Sequence, residues 1–318
     1  MDLKASIVIC AYNSVSRIGS TLDALVSQTA PDGSFELLVI DNASSDGTGD
    51  FVKNHRSFSL LRQRNIDCQV IPEERKGLTY ARICGICQSK GDFVCFLDDD
   101  NVPEPDYIAE GIASFSDDSI GILVSRIYPR YPSTVPSPSM QKREHLLAIN
   151  NKMGDDLIVW EGTSYIAPTI GAGLWLRRSA FLDLVPWQTP NLLMGDRTGD
   201  ILLSGGDIEI GIIFANNNLK RIYCPKLILY HIIPSTRLTR KYFNKLIIGI
   251  VRSELTLKAK YYDRNYGFLD KFKRFSLLIF ALLSFPFLVM RQDGFNEFSF
   301  VIASRWARFL GPYSQLLK

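Results

Sequence analysis

Residues 91–103, GDFVCFLDDDNVP, decide the fold. Five apolar residues, Phe93 to Leu97, run directly into Asp98, Asp99 and Asp100, and Pro103 and Pro105 follow almost at once. A short, continuously apolar run is what a strand covered on both faces requires. The carboxylates at its end need solvent, a cation or a ligand, because an unpaired buried charge is costly. The same pattern recurs upstream. SIVICA (6–11) ends in Ala11-Tyr12-Asn13, FELLVID (35–41) ends in Asp41, and QVIPEERKG (69–77) carries a Lys76-Gly77 loop. Between the first two runs, SVSRIGSTLDALVSQ places Val15, Ile18, Leu22, Leu25 and Val26 at helical spacing, with Ser14 or Ser16 as its cap. NASSDGTGDFVKNH leads into a further helix, and LTYARICGICQSKG predicts one over 78–89. Buried strands alternating with amphipathic helices predict an α/β class protein, doubly wound, with a mostly parallel sheet flanked by helices.

Bulk properties narrow the function. At 318 residues the chain can bury a sizeable core and form more than one lobe. Its 46% hydrophobic and 22% charged composition is globular, and a net charge of +3 is too near balance to argue for nucleic acid. Asp2 and Lys4 interrupt the N-terminus and a strand begins at once, so no signal peptide is expected and the chain is placed in the cytoplasm. Six cysteines, at 10, 68, 84, 87, 95 and 224, lack the density of a disulfide scaffold. Cys84 and Cys87 have the spacing of a redox or half-zinc site. No second pair completes it, so the structural reading is preferred, with both facing the sheet.

In open α/β sheets ligands bind beyond the carboxyl ends of the strands. No Gly-x-Gly-x-x-Gly follows the first strand and no Gly-x4-Gly-Lys-Ser/Thr occurs, which argues against a dinucleotide oxidoreductase and a P-loop NTPase. Polar and acidic strand ends suggest a nucleotide held by base and ribose, with Mg²⁺ or Mn²⁺ on its phosphates. Helix capping is the alternative for a single acid such as Asp41, but three adjacent acids exceed what capping needs.

The ordered set SIVICAYN, LLVIDNASSDGT, KGLTYAR and GDFVCFLDDDNVPEPDYI resembles the family 2 glycosyltransferases of the GT-A fold. The resemblance covers about residues 4–120 and continues more weakly to about 240. It implies an inverting enzyme with a nucleotide-diphospho-sugar donor, most commonly a UDP-sugar. By that resemblance Ala11, Tyr12 and Asn13 line the nucleoside pocket, Asp41 accepts from base or ribose, and Ser44 shares its loop. Lys76, Gly77 and Arg82 lie against the nucleotide. The triplet matches the family's Asp-x-Asp: Asp98 faces ribose or phosphate, Asp100 ligates a divalent metal, and Asp99 shares these duties if the register shifts. His231 matches a histidine that completes metal or phosphate contacts, with a structural role as the alternative; Arg237 and Arg240 either neutralise the diphosphate or belong to a solvated or lipid-facing basic stretch.

Inverting transfer also needs a carboxylate to take the acceptor's proton. GDRTGDILLSGGDIEIGIIF (195–214) resembles the family's Gly-Glu-Asp-x-Glu/Asp helix start. Asp207 aligns with the catalytic Asp, Gly206 stands where Glu is usual, and Glu209 is the competing base. TIGAGLWLRRSAF (169–181) resembles the Gly-rich strand beneath the acceptor site. YPRYPSTVPSPSMQKREH (128–145), with four prolines, is an ordered excursion or a lid. Phe275 to Met290 are 16 uncharged, mostly apolar residues flanked by Lys271, Lys273, Arg274 and Arg291 and interrupted by Pro286. That falls short of the roughly 20 needed to span hydrocarbon. The C-terminal helices are therefore expected at an anionic membrane surface, with packing on the core or a dimer contact as the alternative. The expected organisation is a nucleotide-sugar-binding lobe over 1–120, an acceptor and base lobe over 121–240 and a helical extension over 241–318. A glycan or lipid-linked acceptor would suit it. A sugar nucleotidyltransferase and an inactive nucleotide-sugar-binding scaffold are the rivals. The first normally has a Gly-rich basic signature after strand one, where this chain has CAYNSVSR. The second sits poorly with an intact triplet.

Overall fold

A computed structural model describes residues 3–163, 169–190, 193–195, 203–262, 268–283 and 293–313. The chain divides into two units. The first is Met1–Arg130, Ala148–Pro190 and Asp207–Ile232, and the second is Tyr131–Leu147, Asn191–Gly206 and Ile233–Lys318. Residues 121–130, 148–190 and 207–232 thus share a unit with 1–120.

The first unit is built on one mixed, mostly parallel sheet. Its strands are β1 (Ala5–Ala11), β2 (Phe35–Asp41), β3 (Cys68–Pro72), β4 (Phe93–Asp98), β5 (Asn101–Pro103), β6 (Ile120–Arg130), β7 (Ile158–Trp160), β8 (Leu174–Arg177) and β9 (Lys220–Ile232). They run in the order β3-β2-β1-β4-β8-β6-β9-β5, and β7 also pairs with β9. β1 is flanked in parallel by β2 and β4, so Cys10 lies opposite Asp98 and Ala11 opposite Asp41. Ile7–Ile9, Leu37–Ile40 and Val94–Leu97 are all buried, which is why these runs are apolar throughout. Helices α1 (Ile18–Val26), α2 (Thr48–Asn54), α3 (Arg56–Gln63), α4 (Leu78–Gln88) and α5 (Tyr107–Ala113) connect these strands.

Beyond β4 the strands mix direction. β8 runs antiparallel to both β4 and β6, and β6 is parallel to the long β9. β5 follows β4 in sequence but pairs antiparallel with β9, placing Asn101 opposite His231. Pro103 fits in that short strand. The later helices of this unit are α7 (Arg178–Leu184) and α8 (Gly206–Asn216), the latter beginning at the unit boundary.

One local expectation is corrected. Neither Ser14 nor Ser16 caps α1; the residue at its cap is Arg17, with no side-chain cap bond. The Ser14 backbone carbonyl accepts from the Arg17 and Ile18 N–H groups, while its hydroxyl is engaged by Asp99. Cys84 and Cys87 are free and half-buried on α4, and burial raises both thiols above the usual range. The helix approaches β1 at Gly85, where a Cβ would overlap the Val8 side chain.

The second unit is helical. Its elements are α6 (Pro138–Gln141), two 3-10 turns (Glu144–Leu147 and Ser235–Arg237), α9 (Arg240–Tyr261), α10 (Phe268–Leu283) and α11 (Gly294–Leu310). Thr239 caps α9 by accepting from the Tyr242 N–H at 3.2 Å. The Phe243 and Phe300 rings meet tilted by 32° across the α9–α11 contact, centroids 5.3 Å apart. The four-proline segment is an ordered excursion bound to α11. Ser139 donates its N–H to Asp293 at 3.0 Å, and Arg143 forks onto Glu297 at 2.8 and 2.7 Å. Among the described residues no helix is long and apolar enough to cross a membrane. Pro286, Met290 and Arg291 lie outside the described residues.

Candidate active site

The carboxyl ends of β1, β2 and β4 converge as the sequence requires, and two loops there lock together. Asn13, in the left-handed region at φ 48°, donates its N–H to Ser44 Oγ at 3.0 Å and accepts from the Ser45 N–H at 2.8 Å. The Asp41 carboxylate receives the Ser44 N–H at 3.3 Å. Ala11 is fully buried and its carbonyl accepts from the Asn42 N–H at 2.9 Å, whereas Tyr12 is 43% exposed beside it. The structure therefore gathers Ala11, Tyr12, Asn13, Asp41 and Ser44 in one place.

Asn42, which sequence reasoning left without a role, organises the next wall. Its buried amide donates to the carbonyls of Glu73 and Arg75 at 3.2 and 2.7 Å and accepts from the Gly77 N–H at 2.8 Å. That clamp bends residues 73–77 back toward β2. Gly77 sits at φ 138°, a conformation L side chains rarely adopt, and Lys76 beside it is exposed. Glu73 and Arg75 close the loop with a fork at 2.8 Å, and the Arg75 hydrogen bonds hold the Glu73 carboxyl below the usual range.

The acid triplet separates into two kinds. Asp99 is turned into the protein: Arg17 donates to its two oxygens at 2.8 and 2.7 Å, and the Ser14 hydroxyl donates as well. Burial raises its carboxyl above the usual range, against the pull of Arg17 and with a contribution from Asp100. Asp98 closes β4, and the buried Asp100 accepts from the Asn101 amide at 3.3 Å. Asp100 lies with His231, Nε2 to Oδ1 at 3.3 Å, with side chains only 4% and 6% exposed. The Ile232 N–H, next to His231, donates to the Asp100 carbonyl at 2.9 Å. Among the described residues no three His, Cys, Asp or Glu side chains converge to enclose an ion.

Arg82, buried on α4, lies 5.6 Å from the Phe96 ring of β4, within electrostatic reach of Cys10 together with Asp98 and Asp99. Gly171 lies against it; a Cβ there would overlap the Arg82 guanidinium and come 3.2 Å from Asp207 Oδ2. Gly171 donates its N–H to that oxygen at 2.7 Å, and the Ile208 N–H donates to Oδ1 at 2.8 Å. Asp207 thus opens α8 half-buried, its charge favoured by the helix N-terminus. Glu209 is fully buried in the same helix. Arg237, in the 3-10 turn Ser235–Arg237, and Arg240, opening α9, belong to the second unit. Of the segment 195–214, residues 196–202 lie outside the described residues.

The profile of glycosyl transferase family 2 matches residues 6–184. Glycosyltransferase AglE of Haloferax volcanii is 34% identical over 128 residues, 40% of this chain and 40% of that protein. The UDP-Glc:alpha-D-GlcNAc-diphosphoundecaprenol beta-1,3-glucosyltransferase WfaP of Escherichia coli is 31% identical over 96 residues, 30% of this chain and 35% of that protein. The aligned segments span less than half the length of these relatives. Among solved structures, the mannosyltransferase PcManGT from Pyrobaculum calidifontis in complex with GDP-Man and Mn²⁺ has a TM-score of 0.64 at 15% identity, covering 98% of this chain and 88% of that one. The Staphylococcus aureus TarS 1-349 complex with UDP-GlcNAc has a TM-score of 0.54 at 15% identity, covering 96% and 90%. These similarities carry the fold, GT-A, and the profile match over more than half of the 318 residues carries the family: the chain belongs to glycosyl transferase family 2.

Proposed function

We propose that this glycosyltransferase moves a sugar with inversion from a nucleotide-diphospho-sugar, a UDP-sugar first, to a glycan or lipid-linked acceptor. The observation that carries the reading is the arrangement at the end of β4: Asp99 bound inward, Asp98 at the strand terminus, and Asp100 beside His231. Ala11, Tyr12, Asn13, Asp41 and Ser44 take the nucleoside, Lys76, Gly77 and Arg82 flank the nucleotide, and Asp98 faces ribose or phosphate. A carboxylate and an imidazole side by side fit Mn²⁺ better than Mg²⁺. Asp100 and His231 would hold that ion, which when bound supplies charge stabilisation to the leaving diphosphate.

Asp207 is the base. Its carboxylate is oriented by two N–H donors at a helix start and remains half-buried, whereas Glu209 is wholly enclosed. The acceptor hydroxyl gives its proton to Asp207 as its oxygen attacks the anomeric carbon opposite the departing diphosphate. Residues 1–120 form the donor side and 121–240 supply the acceptor side. The extension from 241 meets the inner face of a cell membrane.

The test is sugar transfer by purified variants. Asp100→Ala and Asp207→Ala are expected to fall by about 10²-fold or more, and Glu209→Gln to fall through weakened folding. Full transfer by both alanine variants overturns the mechanism; full transfer by Asp207→Ala alone moves the base to Glu209.

A further inference from the structure

We propose that the second unit carries a pocket for the phosphate headgroup of an anionic phospholipid, beside a helix face that enters the bilayer. This rests on the reading of the C-terminal extension as membrane-facing and adds a headgroup site to it. A cavity of about 360 Å³ opens between α9 and α11 and the 3-10 turn Glu144–Leu147. Its wall is apolar along Ile247, Val251, Phe300 and Val301, and basic at Arg305 and Arg308. Among the described residues no carboxylate lines it, and those on α9, α10 and α11 are engaged by other partners. Glu297 is forked by Arg143, Asp270 pairs with Arg274 at 2.6 Å, Glu254 pairs with Lys258, and Asp293 is held by Ser139. The Arg305 and Arg308 guanidinium groups have no carboxylate partner among the described residues. An apolar cavity rimmed by two such cations is complementary to a phosphodiester joined to hydrocarbon.

The adjoining surface fits the same ligand. α10 packs on α11 through the Phe275–Phe309 contact at 5.7 Å, and Arg274 donates to the Arg308 carbonyl at 2.8 Å. Its other side is apolar and uncovered: Phe272 is 64% exposed, Phe280 72% and Leu283 69%. Trp306 on α11, 43% exposed, adds an aromatic of the kind enriched where one end is apolar and the other wet. A water-facing helix with this much exposed hydrocarbon would be an aggregation liability, but it is a normal interfacial helix. A second copy of the chain is a poorer occupant, because it would have to bring a free carboxylate to Arg305 and Arg308, and the carboxylates of α9, α10 and α11 are already engaged.

The experiment is flotation of the full chain with vesicles of phosphatidylcholine alone and with phosphatidylglycerol added. The wild type should float with the anionic vesicles. Arg305→Gln/Arg308→Gln should lose about tenfold or more of that partition, and Phe272→Ser/Phe280→Ser, changed only at exposed positions, should float with neither. Anionic flotation of the arginine variant equal to wild type overturns the pocket. A melting shift by glycerol phosphate as large as that by short-chain phosphatidylglycerol reassigns the pocket to a soluble ester and overturns the lipid. A dimer that fails to float, and that Phe272→Ser/Phe280→Ser dissociates, overturns both parts in favour of a second copy. A nucleotide-induced melting shift retained in every variant reports intact folding. Flotation requires no sugar transfer, so failure of the transferase mechanism is read separately.

Discussion

Asp99 shows how one residue can be legible as a type and illegible as a role. Three adjacent acids at a strand end announce a charged site, but nothing local assigns the middle one to Arg17 and Ser14, which lie on another strand's loop. With Asp99 bound to Arg17 and Ser14, the pair proposed for ligand is Asp98-x-Asp100. Removing Arg17 leaves a buried carboxylate with most of its donors gone, so Arg17→Ala should cost about 2 kcal/mol of stability. Urea unfolding measures this, and unchanged stability would deny that Asp99 is structural. Gly171 makes the converse case. A Cβ there meets side-chain ends and not backbone, so Gly171→Ala should fold normally. It should nevertheless displace Arg82 and disturb the N–H bond to Asp207, lowering kcat at least about tenfold with a smaller change in donor KM. Asn42 was equally hidden. It was readable as a polar strand end, while its hold on Glu73, Arg75 and Gly77 depends on a loop folded back from β3.

At the scale of elements, the first four strands and the helices between them could be read because burial on both faces writes itself as unbroken apolar runs. β2 falls on the residues FELLVID, and α4 ends one position short of the expected helix. β5 and β7 are three residues each, too short for any period, whereas β8 falls inside the stretch TIGAGLWLRRSAF that resembles a Gly-rich strand. The antiparallel β5–β9 ladder that carries His231 to Asp100 is a tertiary pairing with no local signature. In the second unit, the Arg143–Glu297 fork ties the proline-rich excursion to α11 and makes a pH prediction. The Arg143 hydrogen bonds hold the Glu297 carboxyl below its ordinary 4.5, with side chains 20% and 26% exposed. A depressed acid contributes stability above its unfolded value and loses it as pH falls through the folded one. Stability should therefore drop below about pH 4.5 by about 1 kcal/mol more in wild type than in Glu297→Gln. Acid melts followed by circular dichroism check this, and parallel curves would remove the fork from the account.

Across the whole molecule the charges nearly cancel, at +3, but they are not evenly placed. The strand ends of the first unit collect Asp41, Asp98, Asp99 and Asp100, with Asp207 opening α8, while Arg17 is consumed by Asp99 and Lys76 stands exposed. Arg82 is the buried cation beside them. Such a site repels a diphosphate unless a further cation is added, since like charges a few ångströms apart cost about 1 kcal/mol or more even in a watery setting. Nucleotide binding should therefore be conditional on metal. With Mn²⁺ and UDP at about a hundred times its Kd, binding to the folded state alone contributes about 2.7 kcal/mol, which corresponds to a rise in Tm of about 4 °C. EDTA should reduce that rise to about a degree, and uridine, which has no phosphate to repel, should give the same small shift with and without metal. Asp100→Asn should behave in Mn²⁺ as the wild type does in EDTA, because it removes one of the two side chains assigned to the ion. Equal UDP shifts with and without EDTA would show that Arg82 and Lys76 neutralise the diphosphate unaided, and the assignment of Asp100 and His231 to a metal would fall.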